Sequence, residues 1–389
     1  MKRSQLIFTV ANLLIAIQIY PVNSQSVSTF LTGNGLNGPD GFALDSAQNL
    51  YAANWGGGAG TTVLKITPDT LVSTFDSTSN APDGLIFDAS GNLYISNYNS
   101  GIIHKISPEG IKTQFASGLI NPSALALDDA GNLYVSNYGS TTVSRITPDG
   151  TVSTFASGFS GPLGLVFDPS GNLYVSNYNT GIIHKVTPDG TISVFATVPN
   201  GSTSRIQYLV RGQSGNLYLP SYGHHKIYRI SSSGDVNVYA GTGVPGSTDG
   251  PLDSAQFNGP NSIVLTNQGD LYISEYNANR IRKITGVEFP VGVKPGSESL
   301  IPVHDALRIF PNPFSSETNI IIESGNQPGV KVILSDPAGK TFNSTALKNV
   351  PTGLHHIVFD GSGLATGTYF CTLLAGGHVI CSQKMICVK

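Results

Sequence analysis

The sequence has 389 residues, with 21 Lys+Arg against 24 Asp+Glu, a formal net charge of −3 and only 12% charged residues, about half the ~25% usual for a soluble domain. So little charge of either sign excludes the basic stripe that a nucleic-acid partner requires, and it excludes an acidic tail. With 45 Gly, 23 Pro, 16 Tyr and 17 Phe against two Met, the chain is turn-rich and all-β.

The first 24 residues have the form of an export leader. Lys2 and Arg3 open it, Leu6 to Tyr20 is a mostly apolar run, and Val22-Asn23-Ser24 puts small residues where a signal peptidase cuts. Cleavage is expected after Ser24, with export into the periplasm. No later stretch approaches the ~20 apolar residues of a spanning helix, so no transmembrane segment is expected.

A repeated phrase follows. GNLYVSNY stands at Gly131–Tyr138 and Gly171–Tyr178, nearly unchanged at Gly91–Tyr98, and in weaker copies at Gln48–Trp55, Gly215–Tyr222 and Gly269–Tyr276. The shared tyrosines, Tyr51, Tyr94, Tyr134, Tyr174, Tyr218 and Tyr272, are spaced by 43, 40, 40, 44 and 54 residues. In the fourth copy, strands are expected at Leu163–Phe167, Asn172–Ser176, Ile182–Val186 and Thr191–Phe195, with hairpin turns at Asp168-Pro169-Ser170-Gly171 and Thr187-Pro188-Asp189-Gly190. Four antiparallel strands per unit of ~40 residues describe a propeller blade. The sixth unit stops after its third strand, while Ser26-Val27-Ser28-Thr29-Phe30 copies the fourth-strand text Thr151-Val152-Ser153-Thr154-Phe155. The amino-terminal strand is therefore expected to complete the sixth blade and close the ring.

After Thr285 the repeat ends. The expected organisation is a leader over 1–24, a six-bladed β-propeller over 25–286, a linker over 287–303 and a small β-sandwich over 304–389. All three cysteines, Cys371, Cys381 and Cys387, lie in the sandwich. If a hairpin turns at Ala375-Gly376-Gly377, Cys371 and Cys381 stand opposite each other and could be bridged. The other reading makes all three small buried hydrophobes.

Ala240–Thr285, with AGTGVPGSTDGPLDSAQFNGPNSIVLTNQGDLYISEYNANRIRKIT, resembles an NHL repeat of the secreted bacterial kind. Pro39-Asp40-Gly41 and Pro82-Asp83-Gly84 are similar to the six-bladed gluconolactonase and regucalcin group. FPNPF at Phe310–Phe314, then Asp336 to Lys340, Gly367-Thr368-Tyr369 and the terminal Lys389, resemble the type A sorting domain of type IX secretion cargo in Bacteroidetes. That resemblance implies the type IX machinery as a partner and a secreted or outer-membrane surface location.

Aspartates at the first hairpin of a blade, Asp45, Asp88, Asp128 and Asp168, are expected to organise their turns. The opposite face gathers the connections around the channel. Asn54, Asn97, Asn137, Asn177 and Glu275 lie there, each followed by an aromatic: Trp55, Tyr98, Tyr138, Tyr178 and Tyr276, with Tyr222 completing the set in the fifth unit. Such a rim would suit a protein, peptide or glycan ligand, or it would fill gaps between blades. The insertion Ala240–Pro260 is expected to help define this face. Asp40, Asp83 and Asn261, with Glu275 nearby, are oxygen donors of the kind Ca2+ or another divalent cation takes. The gluconolactonase resemblance implies Asp40 and Asp83 as cation ligands, but residues 24–37 lack the acidic residue that supplies that group's amino-terminal ligand. His224 and His225 are the candidate acid–base residues. A binding module is thus the leading reading, with a metal-dependent lactonase-like hydrolase and an adhesive surface protein as alternatives.

Overall fold

The computed structural model describes residues 6–10, 13–17, 20–21, 25–212, 214–287, 307–310, 312–324, 330–336, 340–347, 353–375 and 378–389. The expected cleavage motif Val22-Asn23-Ser24 and nearly all of the linker lie outside these residues. Gln25–Lys294 is one compact unit, and Pro295–Lys389 belongs to a second.

Six antiparallel sheets make the larger unit. The fourth blade runs Pro162–Phe167, Leu173–Asn177, Ile182–Val186 and Ile192–Thr197, within two residues of the expected strands. The sixth blade takes Pro260–Leu265, Leu271–Glu275 and Arg280–Ile284 from the end of the repeat and Ser26–Thr32 from its beginning. Val27 pairs with Ile284, Ser28 with Lys283 and Leu31 with Ile281. Val27 and Leu31 point inward and are buried, so the closing strand contributes apolar contact as well as a ladder of backbone hydrogen bonds.

The body of the insertion does not lie over the channel. Gly250–Pro251 pairs with Val27 and Ser26, adding a fifth strand outside the closing one. Asp249 accepts both the backbone N–H and the hydroxyl of Thr29 at 3.0 Å. The body of the insertion therefore clasps the amino-terminal strand and covers the sheet's outer edge, and only its end reaches the channel face, where the Gly259 carbonyl accepts the Tyr276 N–H.

The recurring phrase has a separate reason for each letter. Its tyrosine packs edge-on against phenylalanines, as Tyr134 does with Phe155 and Phe167 at 4.9 Å, and its hydroxyl meets the turn aspartate, Tyr134 with Asp128 at 3.3 Å. That aspartate also accepts the N–H groups of Ala130 and Asn132, as turn chemistry predicts. The serine staples blades together: Ser96 accepts the Gly84 N–H at 2.7 Å and donates to the Ser123 carbonyl of the next blade at 2.7 Å. Ser176 does the same with Gly164 and Gln207.

The smaller unit contains two antiparallel sheets with Phe314, Tyr369, Cys371, Met385 and Cys387 in its core. The bridge geometry considered for Cys371 is not present. The hairpin turns one residue tighter than expected, with Ala375 opposite His378, and a bulge between Leu373 and Leu374 shifts the register by one more, so Cys371 pairs with Gln383 and Cys381 with Leu373. Cys371 and Cys387 are buried among apolar neighbours.

If closure carries the fold, Leu31→Ala should lower the unfolding free energy of the propeller by about 3 kcal/mol. Urea unfolding followed at Trp55, the one tryptophan of the chain, measures this. A loss under about 0.5 kcal/mol would mean that the closing strand contributes little.

Candidate functional site

Each blade starts its innermost strand with the same local device. A residue with left-handed backbone precedes the strand, namely Gly38, Ala81, Asn121, Gly161, Arg205 or Gly259, with φ between +48° and +65°. Its carbonyl accepts the N–H of the rim aromatic 17 residues later: Tyr98 on Ala81, Tyr138 on Asn121, Tyr178 on Gly161, Tyr222 on Arg205 and Tyr276 on Gly259, at 2.9–3.2 Å. Two residues after the left-handed position comes a side chain on the channel floor. Around the ring these are Asp40, Asp83, Ser123, Leu163, Gln207 and Asn261, and all six line one cavity of about 290 Å³.

The next position is small in five blades: Gly41, Gly84, Ala124, Gly164 and Ser262, and its glycines abut the neighbouring blade's backbone. A Cβ on Gly41 would stand 2.0 Å from the Asp83 carbonyl oxygen, and one on Gly84 would stand 2.1 Å from that of Ser123. The glycine of Pro-Asp-Gly is thus a packing requirement between neighbouring blades. The fifth blade breaks the rule with Tyr208, which reaches across the ring to the second blade and donates its hydroxyl to Asp83.

Asp83 is 5% exposed. It also accepts the Ser123 hydroxyl at 2.9 Å and shares a hydrogen bond with Asp40. Burial raises the pKa of Asp83 to about 6 against the pull of the Tyr208, Ser123 and Asp40 hydrogen bonds. Burial and the adjoining Asp83 charge push Asp40 well above the usual carboxylate range. Two carboxyl groups so placed retain a proton that isolated aspartates would have lost. Beside them, Asn261 helps to lower the Asp40 pKa, its buried Oδ1 has no partner, and it lines the cavity.

Trp55, Tyr98, Tyr138, Tyr178, Tyr222 and Tyr276 form a collar above the floor. Neighbouring ring centroids are 5.9 Å apart for Trp55–Tyr98, 6.1 Å for Tyr98–Tyr138, 5.6 Å for Tyr138–Tyr178, 6.2 Å for Tyr222–Tyr276 and 5.9 Å for Tyr276–Trp55. Arg205 joins the lining between the fourth and fifth blades, and its charge bears on Tyr178.

The polar residues preceding them have a different job. Asn54, Asn97 and Asn177 are buried, and their Oδ1 atoms accept the N–H of Asn37, Asn80 and Ser160 at 2.8–3.0 Å. Each of these contacts runs 17 residues back along the chain. Seven residues onward stands a partner: His104 for Asn97 and His184 for Asn177, both at 2.9 Å, and Ser144 for Asn137 at 2.8 Å. In the sixth blade the same pair is Glu275 and Arg282. Glu275 accepts the Asn258 N–H at 2.8 Å and Arg282 at 3.2 Å, with both side chains fully buried. Arg282 also reaches Asp249 at 2.6 Å. Glu275 is therefore outside the Asp40–Asp83–Asn261 group, and the four asparagines face the blade interior rather than a ligand.

His224 bonds Tyr228 at 2.9 Å and Thr203 at 3.3 Å, while His225 accepts the Gly259 N–H at 3.1 Å. Burial lowers the pKa of both, and neither lines the cavity. They tie the fifth blade to its neighbours. Sequence reasoning missed Arg205, Gln207 and Tyr208 because the fifth unit lacks the Gly-Pro or Pro-Asp-Gly text. Counting 17 and 15 residues back from Tyr222 would have found the first two.

A model of the virginiamycin B lyase family matches residues 69–286, and one of the secretion system C-terminal sorting domain matches residues 308–389. The tail is thus a sorting domain that serves export to the outside or to the outer-membrane surface, as expected. No helix among the described residues is long and apolar enough to cross a membrane. Among solved structures, virginiamycin B lyase from Staphylococcus aureus is 16% identical, over 76% of this chain and 94% of that one, with a TM-score of 0.52. A gluconolactonase from Xanthomonas campestris is 16% identical over 68% and 94%, with a TM-score of 0.53. An auxiliary nutrient binding protein from Bacteroides thetaiotaomicron is 19% identical over 70% and 78%, with a TM-score of 0.59. At these identities the likeness concerns the fold alone. No curated sequence matches significantly.

The carboxyl pair makes a pH signature. The folded protein keeps a proton that the unfolded chain, with an aspartate near 3.8, has released. The pair's contribution to stability is therefore fully present below pH 3.8 and lost as pH rises through about 6. Between pH 4 and 7 the unfolding free energy of the wild type should fall by about 1–3 kcal/mol more than that of Asp83→Asn. Parallel curves in urea titrations at Trp55 would contradict the raised pKa.

Proposed function

The chain belongs to the virginiamycin B lyase family, and from that premise we propose that it is an exported propeller that binds a small ligand, a sugar or a peptide end, in its channel mouth. The collar of six aromatics over a floor of hydrogen-bond acceptors carries this reading. Aromatic faces stack on the apolar face of a sugar or on a side chain, and a few convergent polar groups below fix orientation. A cavity of about 290 Å³ is at the lower end for ligand pockets, which favours a terminal unit of a larger molecule. Tyr208 spans from the fifth blade to Asp83 on the second, at the edge of this floor. The sorting tail puts such a module outside the cell, and one fold neighbour is described as an auxiliary nutrient binding protein.

A catalytic reading has one observation in its favour, the proton shared between Asp40 and Asp83, which would supply an acid and a base side by side. A divalent ion would be held there by Asp40, Asp83 and Asn261. The donors fit a resident calcium poorly: Asp40, Asp83 and Asn261 are only three side chains, Glu275 is taken by Arg282, and calcium asks for six to eight oxygens.

Glycan-array and peptide-array binding by the mature chain tests the proposal. Binding should weaken at least tenfold in Tyr138→Ala plus Tyr178→Ala, with the thermal melt of the sandwich unchanged. Quinupristin, which appears with a virginiamycin B lyase in one solved structure, should persist by mass spectrometry on incubation with the protein. Turnover that disappears in Asp83→Asn, or saturable calcium binding by calorimetry, would replace the binding reading with the catalytic one.

A further inference from the structure

The floor of the channel mouth has an uneven chemistry. Asn261, Asp40, Asp83 and Ser123 are consecutive around the ring and offer oxygen atoms, whereas Leu163 on the fourth blade is apolar. The carboxyl pair has no cation beside it. Among the described residues, the ion pairs of the propeller fall on Asp45, Asp76, Asp88, Asp168, Asp249, Asp270 and Glu275, and none on Asp40 or Asp83. Among the described residues the only cation of the cavity wall, Arg205, is on the fifth blade, diametrically across the ring from Asp83 on the second. An acidic pair made of a buried Asp83 and a half-buried Asp40, without a counter-charge, is costly unless it stays protonated or something supplies the charge.

A second observation points the same way. Asn261 is 5% exposed and its Oδ1 has no partner. An amide oxygen buried beside two carboxyls is short of a donor, and its lining position lets a ligand supply one. Around it stand aromatic faces, the surroundings in which a cation is held by ring quadrupoles as well as by carboxylates.

We propose that the channel mouth recognises a protonated primary amine, with the ammonium donating to Asn261 Oδ1 and to the Asp40–Asp83 pair while the carbon body packs inside the aromatic collar. A primary ammonium carries three donors, enough for the amide oxygen and one oxygen of each carboxyl. A quaternary ammonium has none and leaves Asn261 unpaired. The inference rests on the binding reading above and narrows it to ligands that bear an amine. The groups facing the pair are otherwise neutral near pH 7: Asn261, Ser123, Tyr208 and the collar tyrosines, of which Tyr98 is pushed up to about 12 by burial first and then by Tyr138, Asp83 and Asp40. An arriving cation therefore displaces the proton retained by the pair, and affinity should grow as pH rises.

Trp55 lies in the collar and is the single tryptophan of the chain, so its emission reports occupancy. The mature chain is titrated with benzylamine, with benzyl alcohol as the neutral isostere and with tetramethylammonium as the cation lacking N–H. Benzylamine should bind at least tenfold more tightly than either, with an affinity that rises severalfold from pH 5 to pH 7. Asp83→Asn and Asn261→Leu should each weaken benzylamine at least fivefold, while a urea unfolding midpoint at Trp55 close to that of the wild type shows the propeller intact. Equal binding of amine and alcohol, or no response to benzylamine, overturns the inference. If that failure accompanies collar-dependent binding of a neutral glycan or blocked peptide, the binding reading survives it. If the arrays are silent as well, both fall.

Discussion

One short ladder of hydrogen bonds holds the molecule's functional geometry together. Ser26–Thr32 completes the sheet begun by Pro260–Leu265, Leu271–Glu275 and Arg280–Ile284. Without that pairing Asp40 and Asn261, 221 residues apart in the chain, have no reason to be neighbours. Closing so long a loop costs entropy that grows only slowly with length, and the ladder, the buried Val27 and Leu31, and the Asp249 clasp on Thr29 offset it locally. The insertion is best understood as part of this closure, since it protects the outer edge of the one blade assembled from both ends of the repeat.

Between neighbouring blades the constraint is crowding. Innermost strands approach so closely that a single Cβ at Gly41 or Gly84 would collide with the neighbouring backbone. Five residues of this series are small, and the sixth, Tyr208, reaches Asp83 across the ring. The same blade replaces glycine with Arg205 at a left-handed position that disfavours a branched or bulky residue. Departures from a repeat's own rule are where a symmetrical scaffold acquires a directional site. Here they give the mouth one cationic edge and one acidic edge.

Buried polar groups explain what the rim-adjacent asparagines do. A side chain removed from water needs its hydrogen bonds met internally, and Asn97 and Asn177 meet theirs with a loop N–H on one side and a histidine on the other. Glu275 and Arg282 are the charged version of the same pair. A buried arginine removed from its glutamate would leave a bare charge, so the two belong to structure and neither is available to a ligand.

The repeat period, the four-strand unit, the closing strand, the turn aspartates, the aromatic rim and the sorting tail were all legible in the sequence, because each depends on local spacing or on identical text recurring at a fixed interval. The pairing of Asp40 with Asp83 and Asn261 was legible too, once the ring was closed on paper. Side-chain direction was not: Asn54, Asn97 and Asn177 share a loop with the rim aromatics yet turn inward, since alternation along a strand sends adjacent residues to opposite sides. Nor could spacing reveal that Tyr208 reaches Asp83 across the ring, that a tighter turn and a bulge carry Cys371 two residues past Cys381, or that most of the insertion folds outward. Those outcomes depend on which distant atoms fill a given space and satisfy a given hydrogen bond, and such neighbours exist only after the ring has formed.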